Sequence, residues 1–154
     1  MCDMAHYNGF IAHGLMNNPF EYCDVVTSTT HKALRGPRSG IIFAKKQHMD
    51  AINFAVFPML QGGPHNHAIG ALAVQLKEVM SQEFGDYCKQ TIANAKAMAE
   101  AMMAKGENLI TNGTCCHLIM WDLRQHGLTG SKVEKILDVC HMTANKNSIV
   151  GDKR

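Results

Sequence analysis

The sequence predicts an α/β fold, a sheet of short strands flanked by helices, on three observations. Short β-branched and apolar runs alternate with turns through the first half. From His67 the apolar residues switch to helical spacing. After Gly113 a further strand–helix pattern begins, as expected at the start of a second, smaller domain. Runs as apolar as these suit a sheet covered on both faces.

Each element follows from its residues. Asp3-Met4-Ala5-His6 reads as the end of a first strand. Cys23 to Thr30 is β-branched and runs straight into His31-Lys32. The turn-rich Arg35-Gly36-Pro37-Arg38-Ser39-Gly40 separates it from a strand at Ile41-Ile42-Phe43-Ala44. Ile69, Leu72, Leu76, Val79 and Met80 then repeat at helical spacing, as do Cys88, Ile92, Ala95, Ala99 and Met102. They predict two consecutive helices, broken near Gly85 and stopped by Gly106. Leu118 to Leu123 predicts another strand. Ser131 with Glu134 has the capping-box spacing, opening a helix through Val133, Ile136, Leu137 and Cys140.

Composition narrows the function classes. Fifteen Lys+Arg against thirteen Asp+Glu leave a net charge of +2, with 46% apolar and 18% charged residues among 154. That is too apolar and too weakly charged for intrinsic disorder. Without Lys/Arg runs, neither nucleic acid nor an anionic membrane is expected as a partner. Apolar stretches such as Leu118 to Trp121 are far shorter than a membrane span. Met1 to His6 lacks the basic start and apolar centre of a signal peptide. The six cysteines include no C-x-x-C pair. On a strand, Cys115 and Cys116 would face opposite ways, poor geometry for one tetrahedral site. His65 and His67 could form a metal pair on a strand, but nothing nearby completes it, so no metal is expected and the thiols are read as reduced packing residues. His13, His48, His126 and His141 carry no motif and read as surface or packing residues.

Lys32 stands out by context, after a β-branched strand, four hydroxyl residues (Thr27 to Thr30) and His31. At the mouth of a buried sheet, desolvation disfavours an ammonium, which is what a Schiff-base lysine needs. Taken alone, the spacing favours the plainer reading of a lysine at a strand end. Asp3 could pair with a cationic ring nitrogen, with the imidazole of His6 three residues on. Gln61-Gly62-Gly63-Pro64 could bring backbone N–H groups close to an anion, although a lone Gly-Gly-Pro is more often just a turn. Lysine, strand-end aspartate and phosphate turn together are the parts a pyridoxal-phosphate site requires.

At these residues the sequence resembles serine hydroxymethyltransferase. The resemblance is carried by Asp3-Met4-Ala5-His6, by Asp24 to Arg38 around Thr30-His31-Lys32, by Phe57-Pro58-Met59-Leu60-Gln61-Gly62-Gly63-Pro64-His65-Asn66-His67, and by Asn145-Lys146-Asn147-Ser148. It runs essentially from end to end. It implies the aspartate-aminotransferase fold type of pyridoxal-phosphate enzymes, with a mixed, mostly parallel sheet and flanking helices. Residues 1–106 would be the later part of the cofactor-binding large domain and 107–154 the beginning of the small α/β domain. The implied activity is reversible serine/glycine interconversion with one-carbon transfer to tetrahydrofolate. Lys32 resembles the lysine that holds the cofactor as an internal aldimine, and Asp3 the aspartate that keeps its pyridine nitrogen protonated. His6 resembles the histidine near its phenolic oxygen, and Arg38 an arginine lining the same pocket. Thr29 and His31 resemble residues that set the lysine's surroundings. Gly62 and Gly63 resemble the turn that reaches the phosphate of a neighbouring subunit, and Asn147 a residue on the folate side.

The resemblance further implies serine, glycine and folate as small-molecule partners, and a homodimer or homotetramer with the site shared between subunits. Members of the family are much longer, so this stretch corresponds to a middle section and is not expected to be a competent enzyme by itself. Met59 stands where a glycine is common, and Cys115-Cys116 replaces a more polar pair. The rival expectations are a threonine-aldolase-type reaction on the same fold and a truncated non-catalytic paralogue or interaction subunit. A cytoplasmic location is the default, with mitochondrial residence left open.

Overall fold

The computed structural model describes residues 1–152; the last two residues of the 107–154 segment, Lys153 and Arg154, lie outside them. By packing, the chain divides into two compact units, Met1–Gln90 and Thr91 onward.

The first unit is α/β. β1 (Cys2–Asp3) pairs parallel with β2 (Val25–Thr29), and β2 pairs antiparallel with β3 (Gly40–Ala44). The sheet is therefore mixed, in the order β1-β2-β3, with one parallel and one antiparallel pairing. Alternation along β2 buries Val26, Ser28 and Thr30 on one face, as the two-residue strand period requires. β3 departs from the sequence reading, because Ile42 and Phe43 are both exposed, so its two faces are not covered. Phe20 from the 3₁₀ turn Pro19–Glu21 meets Phe43 edge-on at 5.2 Å.

The described residues form five α-helices: α1 (Asn8–Ala12), α2 (Lys46–Phe54), α3 (Asn66–Val79) and α4 (Gln82–Ala104), with α5 (Gly130–Val139) in the second unit. The predicted break between α3 and α4 falls at Met80-Ser81, not at Gly85. Ser81 Oγ accepts from Phe84 N, the cap bond that starts a helix. Gly85 is instead a close-approach position: a Cβ there would stand 2.6 Å from the His13 ring. His13 Nε2 meets the Val79 carbonyl at 2.6 Å near the end of α3, so this histidine packs and caps as expected of a motif-free residue. α3 buries only Ala68 and Val79, leaving Ile69, Leu76 and Met80 of its predicted apolar stripe exposed. On α4 the stripe is covered at Cys88, Ala95 and Ala99. The core of the first unit includes Met4, Phe10, Val26, Leu34, Phe84 and Cys88, and burying a side chain such as Phe10 contributes about 1.5–3 kcal/mol.

In the second unit the predicted strand at Leu118–Leu123 reduces to one antiparallel rung, Leu109 opposite Trp121. Local side chains compete for the backbone there. Thr114 Oγ1 donates to the Leu118 carbonyl, and Leu118 N–H donates to Cys116 Sγ. Cys115 and Cys116 lie in this bend and not on a strand. α5 is capped by Thr129, whose side chain accepts from Lys132 N, and not by the predicted Ser131–Glu134 box. Glu134 is occupied elsewhere, accepting both the backbone N–H and the Nζ of Lys146. His65 and His67 sit at and inside the start of α3, rings stacked at 5.6 Å, not on a strand.

Two predictions follow from this packing. A Cβ on Gly9 of α1 would lie 2.7 Å from the Ala33 carbonyl, whereas one on Gly70 of α3 meets open space. Urea unfolding of Gly9→Ala should show a loss of about 1–3 kcal/mol, and of Gly70→Ala a gain of up to about 1 kcal/mol. The second concerns acid. The Arg124 guanidinium, bonded to both oxygens of Asp122, holds that carboxyl below its usual range. A depressed folded-state pKa gives stability that is complete above the unfolded value, about 3.9, and lost as pH falls through the folded one. Unfolding midpoints should drop below about pH 4 in the wild type, with a shallower drop in Asp122→Asn.

Candidate active site

The candidate site lies where β1 and β2, running parallel, both end. After Asp3 the chain turns sharply. Met4 N–H still donates to the Thr27 carbonyl, Asp3 Oδ1 accepts from Ala5 N–H at 3.0 Å, and Tyr7 N–H returns to the Met4 carbonyl. This aspartate turn leaves Oδ2 of the exposed Asp3 without a hydrogen bond among the described residues. It also presents His6 beside Lys32, with Nζ 3.4 Å from Nε2. An ammonium there donates to the ring, so Nε2 is the acceptor nitrogen.

The four hydroxyls before Lys32 divide by face. Thr29 Oγ1 donates to the Ala5 carbonyl, tying β2 to the Asp3–His6 turn. Ser28 and Thr30 point into the interior, where a hydroxyl needs partners. Ser28 Oγ accepts from Asn8 Nδ2 at 2.7 Å, and the same amide donates to the Thr29 carbonyl at 2.7 Å. Thr30, fully buried, closes the loop that carries the lysine. Its N–H donates to the Ser39 carbonyl, its carbonyl accepts from Gly36 N–H at 2.7 Å, and its hydroxyl reaches the Pro37 and Ser39 carbonyls. A Cβ on Gly36 would stand 2.7 Å from the Thr30 carbonyl, so only glycine permits that closure.

Lys32 itself is exposed, which differs from the desolvated strand mouth read from the sequence. The loop leaves the sheet after Thr30 and turns at Lys32–Arg35, where Arg35 N–H donates to the Lys32 carbonyl, so the side chain stands clear of the core. His31 is half-buried with Nδ1 enclosed and without a hydrogen-bond partner. Arg38 is exposed between Pro37 and Ser39, the two carbonyls anchored by Thr30.

Not every predicted residue joins this group. Gly62 and Gly63 occupy the exposed loop before α3, with open space around each Cα, and no hydrogen bond joins them to the Lys32 group among the described residues. Asn147 belongs to the second unit, in a non-regular segment pinned to α5 by the Glu134–Lys146 pair at 2.7 Å, and its Oδ1 accepts from Ser148 N–H. Two buried contributors escaped the sequence reading. Asn8 had no motif to mark it; the only signal was a polar residue amid Gly9 and Phe10. Thr30 was seen only as one hydroxyl of four.

The donor set suits a pyridoxal-phosphate-type group. A primary amine, a carboxylate with an uncommitted oxygen and an imidazole converge on one end of the sheet, and the enclosed His31 Nδ1 is a polar atom awaiting a partner. In unfolding experiments, Thr30→Val should cost about 1–3 kcal/mol by stranding the loop carbonyls, with Thr30→Ser restoring most of it.

Comparison with known proteins gives the family. The family model described as "Serine hydroxymethyltransferase" matches residues 1–154. The chain is 54% identical over 167 residues to "Serine hydroxymethyltransferase 4" of Arabidopsis thaliana, covering 99% of this chain and 36% of that protein. It is 53% identical over 152 residues to "Serine hydroxymethyltransferase" of Polynucleobacter necessarius subsp. necessarius (strain STIR1), covering 99% and 37%. Against "Serine hydroxymethyltransferase, mitochondrial" of Schizosaccharomyces pombe the figures are 47% over 167 residues, 99% and 34%. The chain thus spans about a third of the length of these relatives. With the lysine loop, the strand-end aspartate and the whole-length match in agreement, the chain belongs to the serine hydroxymethyltransferase family.

Proposed function

We propose that this chain is the lysine-bearing section of a pyridoxal-phosphate-dependent enzyme that interconverts serine and glycine, passing the one-carbon unit to tetrahydrofolate. The observation that carries it is the Lys32 Nζ to His6 Nε2 contact of 3.4 Å, at the sheet end where Asp3 also sits. On this reading residues 1–106 belong to a large domain of the aspartate-aminotransferase fold type, and 107–154 open its small domain.

When bound, pyridoxal phosphate supplies an electron sink for bond breaking at the substrate α-carbon. This chain's residues hold and serve it. Lys32 is the nucleophilic amine, and His6 Nε2 is placed to take a proton from its ammonium, freeing the lone pair. Asp3 offers Oδ2 to a cationic ring nitrogen, a charge-assisted bond that fixes the protonated form. Thr29 and His31 lead into Lys32 and set its surroundings, and Arg38 adds a positive charge on the same loop. Gly62 and Gly63 serve the phosphate in a partner subunit, which makes the working unit at least a dimer. Asn147 lies on the folate side. By themselves the 154 residues do not complete this machinery, consistent with their covering about a third of the relatives.

The test is covalent capture. The purified chain is mixed with stoichiometric pyridoxal phosphate, reduced with borohydride, and digested for mass spectrometry. Before reduction, wild type should gain an absorbance near the visible–violet boundary, and after reduction it should carry the adduct on the Lys32 peptide; Lys32→Ala should show neither. Identical spectra for the two proteins would remove the Schiff-base assignment. Serine-to-glycine conversion should be absent with the isolated chain and appear, dependent on tetrahydrofolate, in a longer protein containing it.

A further inference from the structure

The turn that carries Lys32 ends on an unusual residue. Arg35 has φ of +60°, a left-handed conformation costly for a side chain of this size, and it lies outside the roles assigned above. Three contacts surround it. Its N–H donates to the Lys32 carbonyl at 2.8 Å. Its guanidinium carbon sits 4.6 Å from the centroid of the Tyr87 ring and 5.7 Å from that of Phe84, both on α4. The following residue, Gly36, donates to the Thr30 carbonyl. The aromatic pair is itself fixed, since Phe84 is buried and lies 5.8 Å from Tyr87. Phe84 also packs under α1, with its Cε1 3.3 Å from the Cβ position of Gly9.

We propose that Arg35 is a positioning residue for Lys32, its guanidinium stacked on Tyr87 so that α4 holds the Lys32–Arg35 turn in the geometry that faces Nζ toward His6. This rests on Lys32 being the cofactor lysine. The strained backbone is retained because the cation lies over an aromatic ring, 4.6 Å from its centroid. Relaxing the turn releases the Lys32 carbonyl and lets the side chain leave His6. The contact is made with the ring, which Tyr87→Phe keeps and Tyr87→Leu removes.

The experiment compares wild type, Tyr87→Phe, Tyr87→Leu and Arg35→Gly as the full 154-residue chain. One readout is the rate of borohydride-fixed pyridoxal-phosphate capture at Lys32; the other is hydrogen exchange at the Arg35 amide. Tyr87→Phe should match wild type. Tyr87→Leu should slow capture and speed exchange, each about fivefold, the scale of one exposed cation–π contact. Arg35→Gly relieves the backbone strain and removes only an exposed side chain, so it folds even if Tyr87→Leu does not, and it should slow capture similarly. Wild-type capture rates in either Tyr87→Leu or Arg35→Gly would overturn the proposal. If wild type itself captures nothing at Lys32, the cofactor reading fails, and amide exchange decides the turn alone: faster exchange in Tyr87→Leu than in Tyr87→Phe supports the anchoring, and equal exchange overturns it.

Discussion

The lysine loop depends on one buried residue, Thr30. Its three polar groups all bond to the loop's far side, through the Gly36 N–H and the carbonyls of Pro37 and Ser39. The entropy of closing a loop is lost once, and here a single side chain and its own peptide groups offset it. Because Thr30 is fully buried, each of those bonds replaces one that water cannot supply. The consequence reaches outward. Gly36 has to be glycine, since its missing Cβ is what allows the approach to the Thr30 carbonyl. The chain after Ser39 enters β3 directly at Gly40, so the register of Gly40 opposite Thr29 follows from the closure.

Around that constraint the rest of the first unit acts as a clamp with two arms. Asn8 bonds the last residues of β2 from the α1 side, and Phe84 with Tyr87 supports Arg35 from α4. Phe84 joins the arms: it meets Gly9, the His13 ring at 5.7 Å and the Arg35 guanidinium. Burial also acts chemically along α4, pushing the Cys88 thiol up while the positive charge of Arg35 opposes that shift. Cys88 is fully enclosed, so it behaves as a small apolar residue in this core.

Much of this was legible from the residues. β2 and β3 are β-branched or apolar and end on turn residues, and they formed almost where the pattern put them. α3, α4 and α5 followed the helical period, because a 3.6-residue repeat of apolar side chains is a strong local signal. What failed was decided by competition between side chain and backbone. The apolar run at Leu118 looks like a strand until Thr114 and Cys116 occupy the backbone of Leu118. Ser131 has cap spacing, yet Glu134 is engaged by Lys146, a residue twelve positions on that no local window contains. Gly85 looked like a breaker, and its real use is steric room for His13. At the site, Lys32, Asp3 and His6 were readable as a set, whereas Asn8 became visible only once β1 and β2 were paired.

The exposure of Lys32 bears on how its amine would act. A buried strand mouth would favour a neutral amine by desolvation alone. In this chain the amine is instead held by placement, with a short loop closed at Thr30, a turn fixed at Arg35 and an imidazole nitrogen at 3.4 Å. Placement of this kind is the larger lever for a covalent step, since holding two groups in line removes the entropy of bringing them together. Most of the polar side chains that build the loop reach main-chain oxygens: Thr29 and Thr30 end on carbonyls, and Asn8 bonds the Thr29 carbonyl as well as the Ser28 hydroxyl. The sequence around Lys32 thus fixes loop geometry first, while the second carboxylate oxygen of Asp3 and Nδ1 of His31 carry no hydrogen bond among the described residues.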